Sequence, residues 1–169
     1  MFEKVVLVTR KTRLAELLER LHTRGQAKFY LEHAGLDFAD YESEDDTYRR
    51  AVDRVQSALH GELKVQRVDR SLLPTFLFAA AEVVVALGQD GLVANAAKYV
   101  GAQPLVGVNP DPARLDGVLL PFGVDGARGA VARVVEGKAR VREVTLAEAR
   151  LKDGQRLLAF NDLFIGAQS

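Results

Sequence analysis

Cysteine and tryptophan are absent from this chain of 169 residues, methionine occurs once and histidine three times. Without cysteine there is no disulfide, no thiolate metal site and no thiol nucleophile. His22, His33 and His60 lack metal-ligand spacing, so no metal site is expected from them. An excess of one charge is also missing: 23 basic side chains balance 23 acidic ones, and the arginines are scattered rather than blocked. That balance offers no bulk attraction for nucleic acid or for a membrane surface. No apolar run reaches membrane-spanning length. The opening MFEKVVLVTRKT is too short in apolar residues for a signal-peptide core. The expectation is a cytoplasmic protein with small-molecule partners, no nucleic acid and no membrane.

What is present is 48% hydrophobic residues, enough for a sizeable core in one ordinary domain. Lys4–Thr9 reads as a buried strand, followed by a helix from about Thr12 with Leu14, Leu17, Leu18 and Leu21 on one face. Gln26–Leu36 is ambiguous, a short helix ending at Gly35 being one reading. Ser43–Leu59 is expected to be helical, with Ser43 as N-cap and Tyr48, Ala51, Val52, Val55 and Leu59 on its apolar face. Leu63–Val68 alternates like a strand, and Leu72–Ala81 is an apolar segment with a helical reading after Pro74. Pro104–Val108 and Val118–Leu120 are further strands, Asp125–Glu136 a helix, and Ala139–Leu146 a strand with one wet face. Lys152–Gln155 is a hairpin signal leading into a strand over Arg156–Ile165. Strands alternating with helices predict an open, mostly parallel (Rossmann-like) α/β sheet with helices on both faces. Antiparallel strands follow at the C-terminal end.

The segment Glu82–Tyr99 carries the most information. Val83–Leu87 is continuously apolar, as a strand buried on both faces should be, and it stops at Gly88-Gln89-Asp90-Gly91. Glycines permit a tight turn and a close ligand approach. The helix that follows would turn free N–H groups and its positive dipole end toward the gap, which suits phosphate. Asp90, at the centre of the bend, would repel a phosphate unless it orients a hydroxyl or meets a metal ion. The bland alternative is a plain turn with Asp90 capping the helix. Neither a Walker A loop nor a GxGxxG fingerprint is present, which excludes those nucleotide-binding classes.

Two more loops belong beside it. Val108 is followed by Asn109-Pro110-Asp111-Pro112-Ala113-Arg114-Leu115-Asp116-Gly117, a proline-stiffened loop expected at the same carboxyl edge of the sheet. Its alternative is an ordinary turn in which Asn and Asp satisfy their own backbone. Asn161-Asp162 interrupts an apolar strand, so one of the two should enter the interior or a cleft, unless a bulge or strand end accounts for them. Arg10, Lys11 and Arg13 follow the first strand and are read either as phosphate contacts or as a solvated helix start.

With these loops assembled, the chain resembles the NAD kinase family, in its mitochondrial-type branch. VVVALGQDGLVANAAKY is similar to the family's strand, Gly-Gly-Asp-Gly bend and helix; PLVGVNPDPARLDGVLLPF to the strand and Asn-x-Asp-Pro-x-Arg loop that follow; AFNDLFIG to its Asn-Glu strand; and KVVLVTRKTR to its opening strand. The resemblance implies phosphoryl transfer from ATP, carried with Mg²⁺, to the 2′-hydroxyl of NAD. It implies Asp90 as the residue that meets the ribose hydroxyl and acts as base. Gly88, Gln89 and Gly91 would lie beside the ATP phosphates, with Asn109 at the post-strand position. Asn161 would read the adenine, with Asp162 in place of the neighbouring glutamate. Because a carboxylate is a weak base toward an alcohol at neutral pH, Asp90 would mainly align the hydroxyl and take its proton late.

The chain departs from the pattern at Gln89, where a second glycine is usual, and at Leu92, where Thr or Ser is usual. Family members continue into a β-rich domain that supplies much of the NAD pocket and the oligomer contacts. The expected organisation is therefore a nucleotide-binding α/β domain over residues 1–137, with residues 138–169 leading into a β-rich part. A homo-oligomer is expected when the full-length chain is present. Alternatives are a nucleotide-binding domain without catalysis and a kinase of a lipid or sugar hydroxyl.

Overall fold

Every residue of the strand Glu82–Leu87 is buried, and the rest of the chain is arranged around it. The computed structural model describes residues 1–61 and 63–160. In chain order the elements are β1 (Lys4–Thr9), α1 (Arg13–Leu21), α2 (Arg24–His33), α3 (Phe38–Leu59), β2 (Lys64–Asp69), a 3-10 helix over Arg70–Thr75, β3 (Glu82–Leu87) and α4 (Asp90–Ala97). Then come β4 (Leu105–Asn109), β5 (Phe122–Gly123), a 3-10 turn at Val124–Gly126, α5 (Ala127–Val135), β6 (Ala147–Arg150) and β7 (Arg156–Ala159). The first five strands form one sheet in the order β2-β1-β3-β4-β5, every pair parallel. This is the expected Rossmann-like α/β architecture.

Side chains alternate across the sheet, so each strand feeds two cores. Val5, Leu7, Val83, Val85, Leu87, Val106 and Val108 pack against α3 and α5 through Tyr48, Val52, Val55, Ala130 and Val131. Val6, Val8, Val84 and Ala86 face the other way, onto Leu73 of the 3-10 helix and Leu92, Val93 and Ala96 of α4. A third cluster, Leu14, Leu17, Ala27 and Leu31, joins α1 to α2. β2 is an edge strand that exposes Lys64, Gln66 and Arg67, charged and polar groups that discourage pairing with another chain.

Several expected elements differ. α3 begins at Phe38, not Ser43, because the Asp37 carboxylate accepts the Ala39 N–H at 2.9 Å and caps the helix six residues before the expected cap, Ser43. The ambiguous segment is a helix, α2, capped by Thr23 and closed by Gly35 at φ +70°. The helix expected after Pro74 is absent: only Arg70–Thr75 forms a 3-10 helix, with Pro74 inside it, and it stops at an extended Phe76. Val118–Leu120 is no strand, because the N–H groups of Val118 and Leu119 go to the Asp90 carboxylate instead of a ladder. Ala139–Leu146 is not a strand either: Val141 and Val144 are exposed, so its alternation has no buried face to serve. The hairpin at Lys152–Gln155 is present, between antiparallel β6 and β7, with Gly154 at φ +89°.

Candidate functional site

In the order 2-1-3-4-5 the connections reverse direction between β1 and β3, and ligands of such sheets sit at that point, beyond the strands' carboxyl ends. A cavity of about 1010 Å³ lies there. Its lining comes from the ends of β1 (Arg10, Lys11), β2 (Asp69, Arg70, Ser71), β3 (Gln89) and β4 (Pro110, Asp111, Arg114, Leu115), with Arg13, Glu16 and Glu19 from α1 and Glu44 and Tyr48 reaching in from α3.

Tyr48 forms the floor. Its hydroxyl donates to the Leu87 carbonyl at 2.8 Å and accepts the Arg10 N–H at 2.9 Å, joining the ends of β3 and β1. Burial pushes this phenol up to about 12, so it stays neutral through the physiological range. The Arg10 guanidinium lies over its ring, 4.9 Å from the centroid.

One wall is a chain of shared ion pairs. Glu44 binds Arg10 at 3.0 Å and Arg13 at 2.5 Å; Asp40 binds Arg13 at 2.8 Å and Arg114 at 2.5 Å; Arg114 also approaches Asp111 at 3.4 Å. Burial pulls the Glu44 carboxyl upward, but hydrogen bonds from Arg13 and Arg10 outweigh it and hold the group below its ordinary value. Asp40 is likewise held low, first by Arg13 and then by Arg114. Asp40, Glu44 and Tyr48 recur every fourth residue of α3, which puts them on one helical face, and Glu44 and Tyr48 of that face line the cavity. Tyr48 lies on the apolar face of α3 as expected, its ring in the core, whereas the helical pattern gives no role to Asp40 or Glu44. The four-residue spacing, ending on a tyrosine that has a hydroxyl to satisfy, was the available signal.

The opposite wall contains the bend and the proline-stiffened loop. Asp90 is the first residue of α4, and its two oxygens accept the backbone N–H groups of Val118, at 3.0 Å, and Leu119, at 2.8 Å. The bend and the loop are therefore one hydrogen-bonded unit. Asp90 is half-buried and does not line the cavity, whereas Gln89 beside it is exposed and does. Asn109 is buried, with Nδ2 donating to the Leu115 carbonyl and Oδ1 accepting the Asp111 N–H, both at 2.9 Å. Its polar atoms hold the loop, as the ordinary-turn reading anticipates.

Glycines make this fold-back possible. A Cβ on Gly107 would stand 2.1 Å from the Leu119 carbonyl oxygen. Gly117, at φ +67°, would place one 2.7 Å from Asn109 Nδ2. Neither bend glycine, Gly88 or Gly91, has a positive φ. Gly88 makes room for Leu92, which packs in the core, while a side chain at Gly91 would meet nothing within 4 Å. The open space at Gly91 leaves the first turn of α4 approachable.

The structure thus brings Gly88, Gln89, Asp90, Gly91 and Asn109 to one edge of the sheet; Asn161 and Asp162 lie outside the described residues. Arg10, Lys11 and Arg13 do reach the cavity, each with a carboxylate partner. Among the described residues no cluster of three or more His, Asp or Glu could hold a metal ion, and no helix is long and apolar enough to cross a membrane. No protein-family model matches the chain, and a search of the curated proteins finds no match.

Proposed function

We propose that the crevice binds a nucleotide and that the chain carries the N-terminal part of an NAD kinase-like phosphotransferase. In this reaction the 2′-hydroxyl oxygen of NAD attacks the γ-phosphorus of ATP, and the bond to the β,γ-bridging oxygen breaks. ADP departs, and the hydroxyl proton passes to a carboxylate or to solvent. Mg²⁺ carried by ATP neutralises phosphate charge in such reactions.

The observation that carries this reading is the immobilised Asp90. A carboxylate has about four acceptor sites, and two backbone N–H groups occupy only part of that capacity. Asp90 is fixed at the edge of the crevice, next to the cavity-lining Gln89, and its remaining acceptor capacity is what aligning a sugar hydroxyl requires. Phosphoryl transfer depends mainly on such positioning. The uncovered turn at Gly91 and the cavity-facing Gln89 leave the adjoining space to a phosphate chain. Assaying NADP formation from ATP and NAD tests the proposal; full activity in Asp90→Asn would remove Asp90 from it.

A second reading, nucleotide binding without catalysis, also has support. Gln89 adds a side chain where the family has glycine, and Leu92 lies in the core, so neither supplies a hydroxyl to the bend. This reading predicts a raised melting temperature with ATP or NAD and no NADP from any length of the protein. A cytoplasmic location and a homo-oligomer assembled through a β-rich part accompany the kinase reading.

A further inference from the structure

Five basic side chains line the crevice, and four of them already hold a carboxylate: Arg10, Lys11, Arg13 and Arg114. The fifth, Arg70, is exposed and has no carboxylate partner among the described residues. Its neighbour Asp69 is held instead by the Ser71 N–H at 2.9 Å and the Ser71 hydroxyl at 2.7 Å.

The strand register fixes where Arg70 leaves the sheet. Thr9 of β1 stands opposite Asp69 of β2, so Arg70 emerges level with Arg10. Val8 stands opposite Ala86 of β3, so Gly88 emerges level with Arg10 on the other side. The three positions form a row across the carboxyl edge. Arg70 and the Gly88–Gln89 bend lie at its ends, two strand spacings or about 10 Å apart. A carboxylate partner neutralises most of a guanidinium's charge even where N–H donors remain, whereas the unpaired Arg70 offers a phosphate its full charge and displaces water alone.

We infer that Arg70 is the anion anchor of this crevice and binds a phosphate group of the ligand two strands away from the Gly88–Gln89 bend. The inference rests on the nucleotide reading for its ligand but is testable without a nucleoside. Titration calorimetry of the whole chain with pyrophosphate and, separately, with ATP provides the test. Arg70→Ala should weaken both by about ten- to hundredfold, the loss of one or two charge-assisted hydrogen bonds. Arg70→Lys should recover part of that affinity, and the melting temperature should stay unchanged in each variant. Wild-type affinity for both ligands in Arg70→Ala overturns the inference. Pyrophosphate binding that depends on Arg70, with no binding of ATP, overturns the nucleotide reading and leaves Arg70 in its role. Failure of the unaltered chain to bind either ligand overturns both.

Discussion

The two walls of the crevice are built from different forces. The bend and loop, between Gly88 and Leu120, are stitched by neutral backbone groups: Asp90 holds two N–H groups, Asn109 holds two ends of its own loop, and Gly107 admits a carbonyl at close range. The side built by β1, α1 and α3 is held by ion pairs that share carboxylates. Directional bonds to backbone fix positions and tolerate salt. Ion pairs at a partly exposed rim contribute little each and weaken as salt rises. The first wall is therefore the more rigid of the two, and the second can rearrange around a charged ligand.

The largest effect should come from Asp90→Asn. An amide can accept one of the two N–H groups but presents its own donors to the other. NADP formation should fall by about two to four orders of magnitude, with nucleotide affinity nearly intact, in a steady-state assay paired with calorimetry. Gly107→Ala comes next: its Cβ meets a backbone oxygen that cannot step aside. The expected loss is about 3 kcal/mol, or roughly 6–12 °C of melting temperature.

Tyr48→Phe tests the seam between the walls. It leaves the Leu87 carbonyl and the Arg10 N–H without their buried partner. Chemical denaturation should show a loss of about 1–3 kcal/mol. Equal stability in the two proteins would mean that water replaces the hydroxyl and that the floor is wet.

The smallest effect concerns Glu44 and is best read from pH. Its carboxyl titrates below the ordinary 4.5 when folded, so its contribution is fully present above that value and is lost as pH falls through the lower folded value. Melting curves across the acid range should show this loss in the wild type and a flatter limb in Glu44→Gln. High salt should shrink the same difference while leaving the Gly107→Ala deficit unchanged. A Glu44→Gln difference that ignores salt would erase the contrast between the walls.

The same contrast explains what the sequence revealed. Strand β3 was legible because burial on both faces demands an unbroken apolar run, and β1 and β4 for the same reason. The loop after β4 was legible because its glycines, prolines and Asn109 act within a few residues of one another. The ion-pair wall joins Arg13 to Asp40 and Arg114 to Asp40, partners 27 and 74 residues apart, and no local pattern announces such pairs. The acidic stretch around the start of α3 offers several caps, and Asp37 is the one that lets Phe38 and Tyr41 pack against the α1–α2 cluster. Val118–Leu120 looked like a strand because its apolar residues fit one; a carboxylate 28 residues upstream takes its first donor.

Backbone amide shifts recorded by NMR while ATP is added would test the central claim most directly. The account predicts that the amides of Arg10, Arg70, Gln89 and Asp111 move together, tracing the carboxyl edge of the sheet from β2 to β4. Shifts confined to Phe29, Tyr30 and His33, which line a separate cavity of about 720 Å³ between α1 and α2, or no shifts at all, would contradict it.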